Sequence, residues 1–345
     1  MNKLSNIKIL DCTLRDGGYY NNWNFSKKIL NNYIENINKS NIDVVEVGFR
    51  FLKKNKFGLF ANAKEKFINT LPFKKNLKLG VMINSSDFSC KDDYIKQINR
   101  YFVKKKNSKI SLIRLATHLK DVKKITPHII YLKKLGYEIA LNLMQIDKVQ
   151  KNELIKVLKI LNKTNSVNVF YFADSFGNLN SENVKKICKI ISNNWSKEFG
   201  FHAHDNCGLA LQNCITAINN GAKWIDSTIQ GMGRGAGNVT TEDLLCHLPD
   251  KIRNKYNPKP IYHIAETDFK NLKNKFKWGK SIYYHLSAKN NIHPSYIQQL
   301  LVDQRYNHNE IIEMIGELSK NKASGYNPII LRNLVSDKII LKKNW

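Results

Sequence analysis

Short apolar runs recur along the first 250 or so residues, each pair separated by enough mixed sequence to hold a helix. Ile7–Leu10, Ile42–Val47, Leu77–Ile83, Ile110–Leu115, Glu138–Leu143, Val167–Phe172, Phe199–Ala203 and Trp224–Thr228 have the length and near-continuous hydrophobicity of strands buried on both faces. Between them, apolar residues return at helical spacing. The clearest set is Ile29, Leu30, Tyr33, Ile34 and Ile37 behind an N-cap candidate at Ser26, and Asp147–Leu161 and Ser181–Ile191 repeat the pattern. Eight strand-then-helix units in about 250 residues predict an α/β fold, a (β/α)8 barrel, since open doubly wound sheets carry fewer strands. The alternation stops near Pro249. Residues 250–345 read as helices and loops, with Asp268–Phe276, Ser281–Ala288, Ser295–Leu301 and Asn309–Leu318 as the helical stretches. The expected organisation is a catalytic barrel over residues 1–249 and a C-terminal helical extension, residues 250–345, packed on it.

Composition narrows the setting. Apolar residues make up 42% and charged residues 24%, enough for a core and too much for a disordered chain. No apolar run approaches the roughly 20 residues of a membrane span, and Met1–Asn6 has no secretory h-region. Cys12, Cys90, Cys188, Cys207, Cys214 and Cys246 form no CxxC pair and read as free thiols in a reducing, cytoplasmic setting. With 56 basic and 28 acidic residues the formal charge is +28, which suits nucleic acid, an anionic surface or anionic substrates. The lysines are spread along the chain without a nucleic-acid-binding motif, so the expected partner is a small molecule, with no membrane contact. A homo-oligomer stays open.

In such a barrel the chemistry lies at the C-terminal strand ends and the loops that follow. Those positions here carry Asp11-Cys12-Thr13-Leu14-Arg15-Asp16-Gly17, Glu46, Arg114-Leu115-Ala116-Thr117-His118, Asp174-Ser175, His202-Ala203-His204 and the glycine-rich Gly231–Asn238. Residues two apart on a strand share a face, so His202 and His204 could grip one ion. Alone, such a pair is as readily two core or surface histidines. Joined by Asp16 from the first strand, it becomes a two-imidazole, one-carboxylate set suited to Mn²⁺, with Mg²⁺, Co²⁺ or Zn²⁺ as alternatives. The glycine loop follows the eighth strand, not a first βαβ unit, so it reads as close backbone approach and not as a dinucleotide fingerprint.

Together these segments resemble the DRE-TIM metallolyases, over roughly residues 7–248. That superfamily of TIM-barrel enzymes includes 3-hydroxy-3-methylglutaryl-CoA lyase, the isopropylmalate and homocitrate synthases and 4-hydroxy-2-oxovalerate aldolase. Gly231-Met232-Gly233-Arg234-Gly235-Ala236-Gly237-Asn238 and Arg114–His118 are most similar to the aldolase branch. The loop lacks the lyase's cysteine and the Glu-Arg of the acyltransferases. The resemblance implies a divalent-metal-dependent aldolase that cleaves or forms a C–C bond through a metal-bound pyruvate enolate, interconverting a 4-hydroxy-2-oxo acid with pyruvate and an aldehyde. Its alternative is an acyl-CoA-dependent condensing acyltransferase acting on a 2-oxo acid. A basic nucleic-acid-binding or scaffold protein with a disused barrel is a third reading. The implied metal ligands are Asp16, His202 and His204, with Asn238 as a further ligand or neighbour. Arg15 would stabilise the developing oxyanion, Ser175 would bind the pyruvate carboxylate, and Glu46 would orient Arg15 or a ligand histidine beside the substrate. One departure stands out: where the aldolase branch has a histidine three residues after the metal-binding aspartate, this chain has Tyr19. Tyr284 and His285 in the tail, with Tyr283 and His293 near them, are the other acid/base candidates.

Overall fold

The computed structural model describes residues 7–51, 57–88, 93–303 and 305–343; Cys90 and the Met1–Asn6 segment lie outside them. Strands β1 (Lys8–Asp11), β2 (Val44–Phe49), β3 (Lys78–Asn84), β4 (Ile110–Thr117), β5 (Glu138–Leu143), β6 (Val169–Asp174), β7 (Glu198–Ala203) and β8 (Trp224–Ser227) pair in parallel in chain order. β1 also pairs with β8, which closes the ring as a TIM barrel. Several strands run one or two residues later than the apolar runs predict. β2 reaches Phe49 and β6 reaches Asp174, because the ladder continues into polar and glycine residues that line the mouth.

The barrel interior changes character along its axis. Toward the N-terminal ends of the strands, Val44, Leu112, Val169 and Trp224 from the even strands form one apolar layer, joined by Leu10 and Ala140 from odd strands. Glycines at 80 and 200 make room for them: a Cβ on Gly200 would lie 2.5 Å from the Tyr171 ring and 2.8 Å from Trp224 Cβ. Two residues further along the even strands come Glu46, Arg114, Tyr171 and Asp226, all buried. The pleat that points the apolar set inward points this polar set inward too, one step nearer the mouth.

The outer helices form where the periodicity places them. Lys27–Ser40 starts at Ser26, whose Oγ accepts from Ile29 N, and buries Tyr33, Ile34 and Ile37. The helix expected from Asp147 begins at Lys151 instead. Ile146–Lys148 makes a separate 3₁₀ turn, and Gln150 with Glu153 forms a capping box that fixes the later start. Beyond Pro249, helices or turns span Asp250–Arg253, Lys259–Ile264, Ala265–Phe269 and Lys270–Phe276, and Ile252, Ile261, Phe269 and Trp278 share the main apolar core. From Tyr283 onward a second cluster forms within helices Ile282–Lys289, Pro294–Val302 and His308–Lys320. It includes Ala236 of the glycine loop, which seats this helical cap on the barrel mouth. Among the described residues no helix is long and apolar enough to cross a membrane.

Candidate metal centre

Immediately after β1 the chain turns into one helical turn, Thr13–Asp16, and then a second, Gly18–Asn21. Asp11 directs this turn: its carboxylate accepts from Thr13 N at 3.0 Å and from the Tyr33 hydroxyl at 2.5 Å, on the helix side of the barrel wall. That leaves Arg15 and Asp16 buried at the mouth. His202 lies in β7 and His204 just beyond it, where it bridges Asn238 of the glycine loop. The two imidazoles stand edge to face with centroids 4.8 Å apart. Ligand atoms of Asp16, His202 and His204 all lie within 4.8 Å of one another.

Each imidazole is oriented from behind. His202 Nδ1 lies 2.8 Å from Asp226 Oδ2, and His204 Nδ1 lies 2.9 Å from the Asp174 carbonyl oxygen. A carbonyl or carboxylate oxygen only accepts, so both Nδ1 atoms donate, and each ring in its neutral form presents the Nε2 lone pair. His202 Nε2 is 3.5 Å from Asp16 Oδ2. Burial, His202 and Arg234 push His204 down to about 3, so it is neutral at ordinary pH. Burial acts to raise Asp16, but Arg15, the two histidines and the Asn238 amide outweigh it and hold Asp16 well below the usual carboxylate range. Two imidazoles thus converge on an ionised carboxylate, and in their neutral forms they make a donor set that fits a divalent cation. Asn238 donates through Nδ2 to Asp16 Oδ2 at 2.6 Å, while its Oδ1 is buried without a partner and available to the same ion. A second grouping, Cys12, His202 and Asp226, fits less well. Burial raises the Cys12 thiol, and Asp226 is already engaged by Arg114 and His202.

A buried charge network supports the triad. Arg15 lies 2.7 Å from Asp16 Oδ1 through Nη1 and donates through Nε to Glu46 Oε2 at 2.7 Å, leaving Nη2 without a partner. Arg114 spans Glu46 at 3.1 Å and Asp226 at 2.5 Å, its guanidinium 4.3 Å from the Tyr171 ring centroid. Glu46 therefore meets Arg15 and Arg114 directly. Burial acts to raise Asp226, but Arg114 and His202 keep it ionised. Two guanidiniums face three carboxylates here, and a divalent ion would offset the negative excess.

The other expected residues sit further out. Ser175 is buried after β6, and its Oγ accepts from Gln145 N at 2.9 Å, which leaves its own proton free to donate. Tyr19 packs edge-on against Trp23 at 4.9 Å, with the Arg234 guanidinium 5.3 Å from its ring centroid, and burial raises its phenol. Tyr284 is buried against the glycine loop: its hydroxyl lies 3.2 Å from that of Tyr20, which donates to Gly235 O. His285 faces a cleft with Asn206, Cys207, Gly208 and Lys280. The structure does not bring Tyr284 or His285 into contact with the triad. His293 comes nearer, within electrostatic reach of His204, Arg234 and His118. Asp226, Arg114 and the Asp174 carbonyl are site groups that the sequence reading did not assign. For Asp226 a signal existed: an acidic residue at an inward position of a short apolar strand.

The HMGL-like family profile matches residues 6–267. Proteins named 4-hydroxy-2-oxovalerate aldolase from Pelotomaculum thermopropionicum and Carboxydothermus hydrogenoformans are 28% and 30% identical, each match covering 70% of this chain and 70% of the relative. The crystal structure of the N-terminal domain of a putative aldolase from Bacteroides vulgatus superposes with a TM-score of 0.75 at 34% identity, covering 89% of this chain and 99% of that one. An HMG-CoA lyase from Bacillus subtilis shares the fold at TM-score 0.63 and 15% identity, covering 81% and 96% of the two chains. Profile, relatives and barrel agree: the chain belongs to the HMGL-like family.

Proposed function

We propose that the protein is a divalent-metal-dependent aldolase, a carbon–carbon lyase that interconverts a 4-hydroxy-2-oxo acid with pyruvate and an aldehyde. The observation that carries this reading is the convergence of two imidazole lone pairs and the Asp16 carboxylate beside the Arg15 guanidinium. The aldolase names of the relatives support it, and nothing in them favours the acyltransferase alternative. Asp16, His202 and His204 would hold the ion, with Asn238 completing the set or steadying Asp16. Mn²⁺ suits this mixed nitrogen and oxygen set best, ahead of Mg²⁺, Co²⁺ and Zn²⁺. When bound, the metal supplies Lewis-acid polarisation of the 2-oxo acid.

The chain's own groups do the rest. Arg15, fixed by Glu46, directs its partnerless Nη2 to the oxygen at C2, where negative charge grows as the C3–C4 bond breaks. Ser175 donates to the substrate carboxylate. Tyr19 serves the C4 hydroxyl: in cleavage that hydroxyl passes its proton to water by relay through the Tyr19 hydroxyl, the C3–C4 electrons form the enolate, and C3 then takes up a proton from water to give pyruvate. A phenol raised by burial holds its proton at neutral pH, which suits the synthetic direction, where the aldehyde oxygen must be protonated. Tyr284 acts through Tyr20 on the glycine loop, and His285 borders the approach from the Asn206–Gly208 cleft. We assign residues 1–249 as the catalytic barrel and 250–345 as its helical extension, whose first part, to Trp278, shares the barrel core. The test is cleavage of 4-hydroxy-2-oxopentanoate, with pyruvate release followed by a coupled lactate dehydrogenase assay. Release that requires a divalent ion and stops in His202→Ala supports the reading; full activity in the presence of chelator overturns it.

A further inference from the structure

We propose that Arg234 recognises an anionic group on the aldehyde partner, so that the acceptor is an aldehyde carrying a phosphate or a carboxylate. This rests on the aldolase reading and deepens it. Arg234 is clamped in place within the glycine loop. A Cβ on Gly233 would lie 2.6 Å from Asn238 Nδ2, and one on Gly235 would lie 2.8 Å from Pro294 Cβ. The loop is thus held between the residue that bonds Asp16 and the helical cap, and the Arg234 side chain extends over the Tyr19 ring.

Among the buried and half-buried arginines of the described residues, this guanidinium stands apart in lacking a counter-charge. Arg15 meets Asp16 and Glu46, Arg114 meets Glu46 and Asp226, and Arg50 meets Glu65. Arg234 has no ion pair among the described residues, and its Nε is buried without a partner. The ionisable groups that feel its charge are Tyr19, His204 and His293, with His118 beyond His293, and Asp121, Lys120 and Lys148 beside His118. Burial and the positive charge of Arg234 together disfavour a protonated His293. A half-buried cation in such company is costly unless a ligand supplies the anion, and a planar guanidinium fork matches carboxylate and phosphate geometry. Its place between the triad and the cap is where the part of the substrate beyond C4 would extend. The shared pyruvate portion already has Arg15 and Ser175.

The experiment measures aldol addition to pyruvate with Mn²⁺ and matched acceptor pairs: glyceraldehyde against glyceraldehyde 3-phosphate, and butanal against succinic semialdehyde. The expected result is a kcat/KM at least about tenfold higher for one charged member, the pair affected telling phosphate from carboxylate. Arg234→Gln should reduce that preference by about 10–100-fold, chiefly through KM for the charged aldehyde, and Arg234→Lys should restore part of it. No charge preference in either pair overturns the proposal. So does an Arg234→Gln loss that is equal for charged and neutral acceptors, or that falls on KM for pyruvate. Deuterium uptake by pyruvate without any aldehyde separates the two levels: uptake without charge preference removes this inference alone, while no uptake removes the aldolase reading and this inference with it.

Discussion

His202 and His204 become ligand candidates because of what stands behind them. A histidine pair two apart on a strand fixes only the face. The Asp226 carboxylate and the Asp174 carbonyl fix which nitrogen carries the proton, and so where each lone pair points. The sequence shows the pair and Glu46, which break apolar runs near strand ends, and Asp16, which stands in the polar segment after the first run. It does not show Asp226 as their support, because a contact between β7 and β8 side chains depends on register. Asp226→Asn should lower Mn²⁺ affinity by about 10–100-fold, the usual cost of losing a group that orients a ligand histidine. It should also destabilise the fold by about 3–5 kcal/mol, since Arg114 then stays buried beside one carboxylate fewer. Isothermal titration and denaturant melts read the two effects separately, and unchanged metal affinity would mean that Asp226 serves Arg114 alone. Tyr19→Phe tests the proton carrier. Turnover should fall by about 10²–10⁴ with metal binding kept. Wild-type turnover in that variant would move the role to the cap, where His293 approaches the triad and His285 does not.

At the scale of elements, the eight strands and the first outer helices are legible because period and length are local properties. Strand ends are less so. The ladder continues past the apolar run into the residues at the mouth, as at Gly48–Phe49 and Ala173–Asp174. The helices of the cap are legible to within a residue or two, but their seating is not, since it depends on the fit between the glycine loop and the helix that begins at Pro294. Gly235 has φ +70°, and a Cβ there would strike Pro294, so Gly235→Ala should loosen the cap. Faster proteolysis beyond Trp278 would register that loosening, and an unchanged cleavage pattern would argue against this docking. Glu242 makes a pH-dependent joint at the other end of the same loop. Burial, with the nearby Asp243, carries its carboxyl to about 7, against the backbone hydrogen bonds from its own N–H and Gln230 N and the charge of Lys273. The folded value lies above the ordinary 4.5, so the folded state holds this proton more tightly than the unfolded state does. The stability it contributes is complete below about 4.5 and is lost as pH rises through about 7. Asp11, at about 6, and Asp174, at about 7, give slopes of the same sign. Glu242→Gln should therefore flatten the wild-type fall in thermal stability between pH 5 and 8 by on the order of 1–3 kcal/mol. Parallel melting profiles for the two proteins would contradict this.

For the whole molecule, the barrel interior is built in two halves, an apolar layer that closes it and a charged layer that faces the mouth. The +28 charge belongs chiefly to the lysines; the buried cluster runs the other way, with carboxylates in excess. A cation should therefore stabilise the fold as well as activate it. Mn²⁺ at about 100 times its dissociation constant should raise unfolding free energy by about 2.7 kcal/mol, an increment that His204→Ala abolishes. This cluster should stabilise a pyruvate enolate whichever bond at C3 gives up its electrons, and deuterium exchange reads that ability without an aldehyde. With Mn²⁺ in D₂O and no aldehyde, the pyruvate methyl resonance should fade in the wild-type protein, and Arg15→Ala and Asp16→Ala should suppress the loss. An undiminished methyl signal from wild-type protein shown to hold its metal would contradict enolate stabilisation at this site.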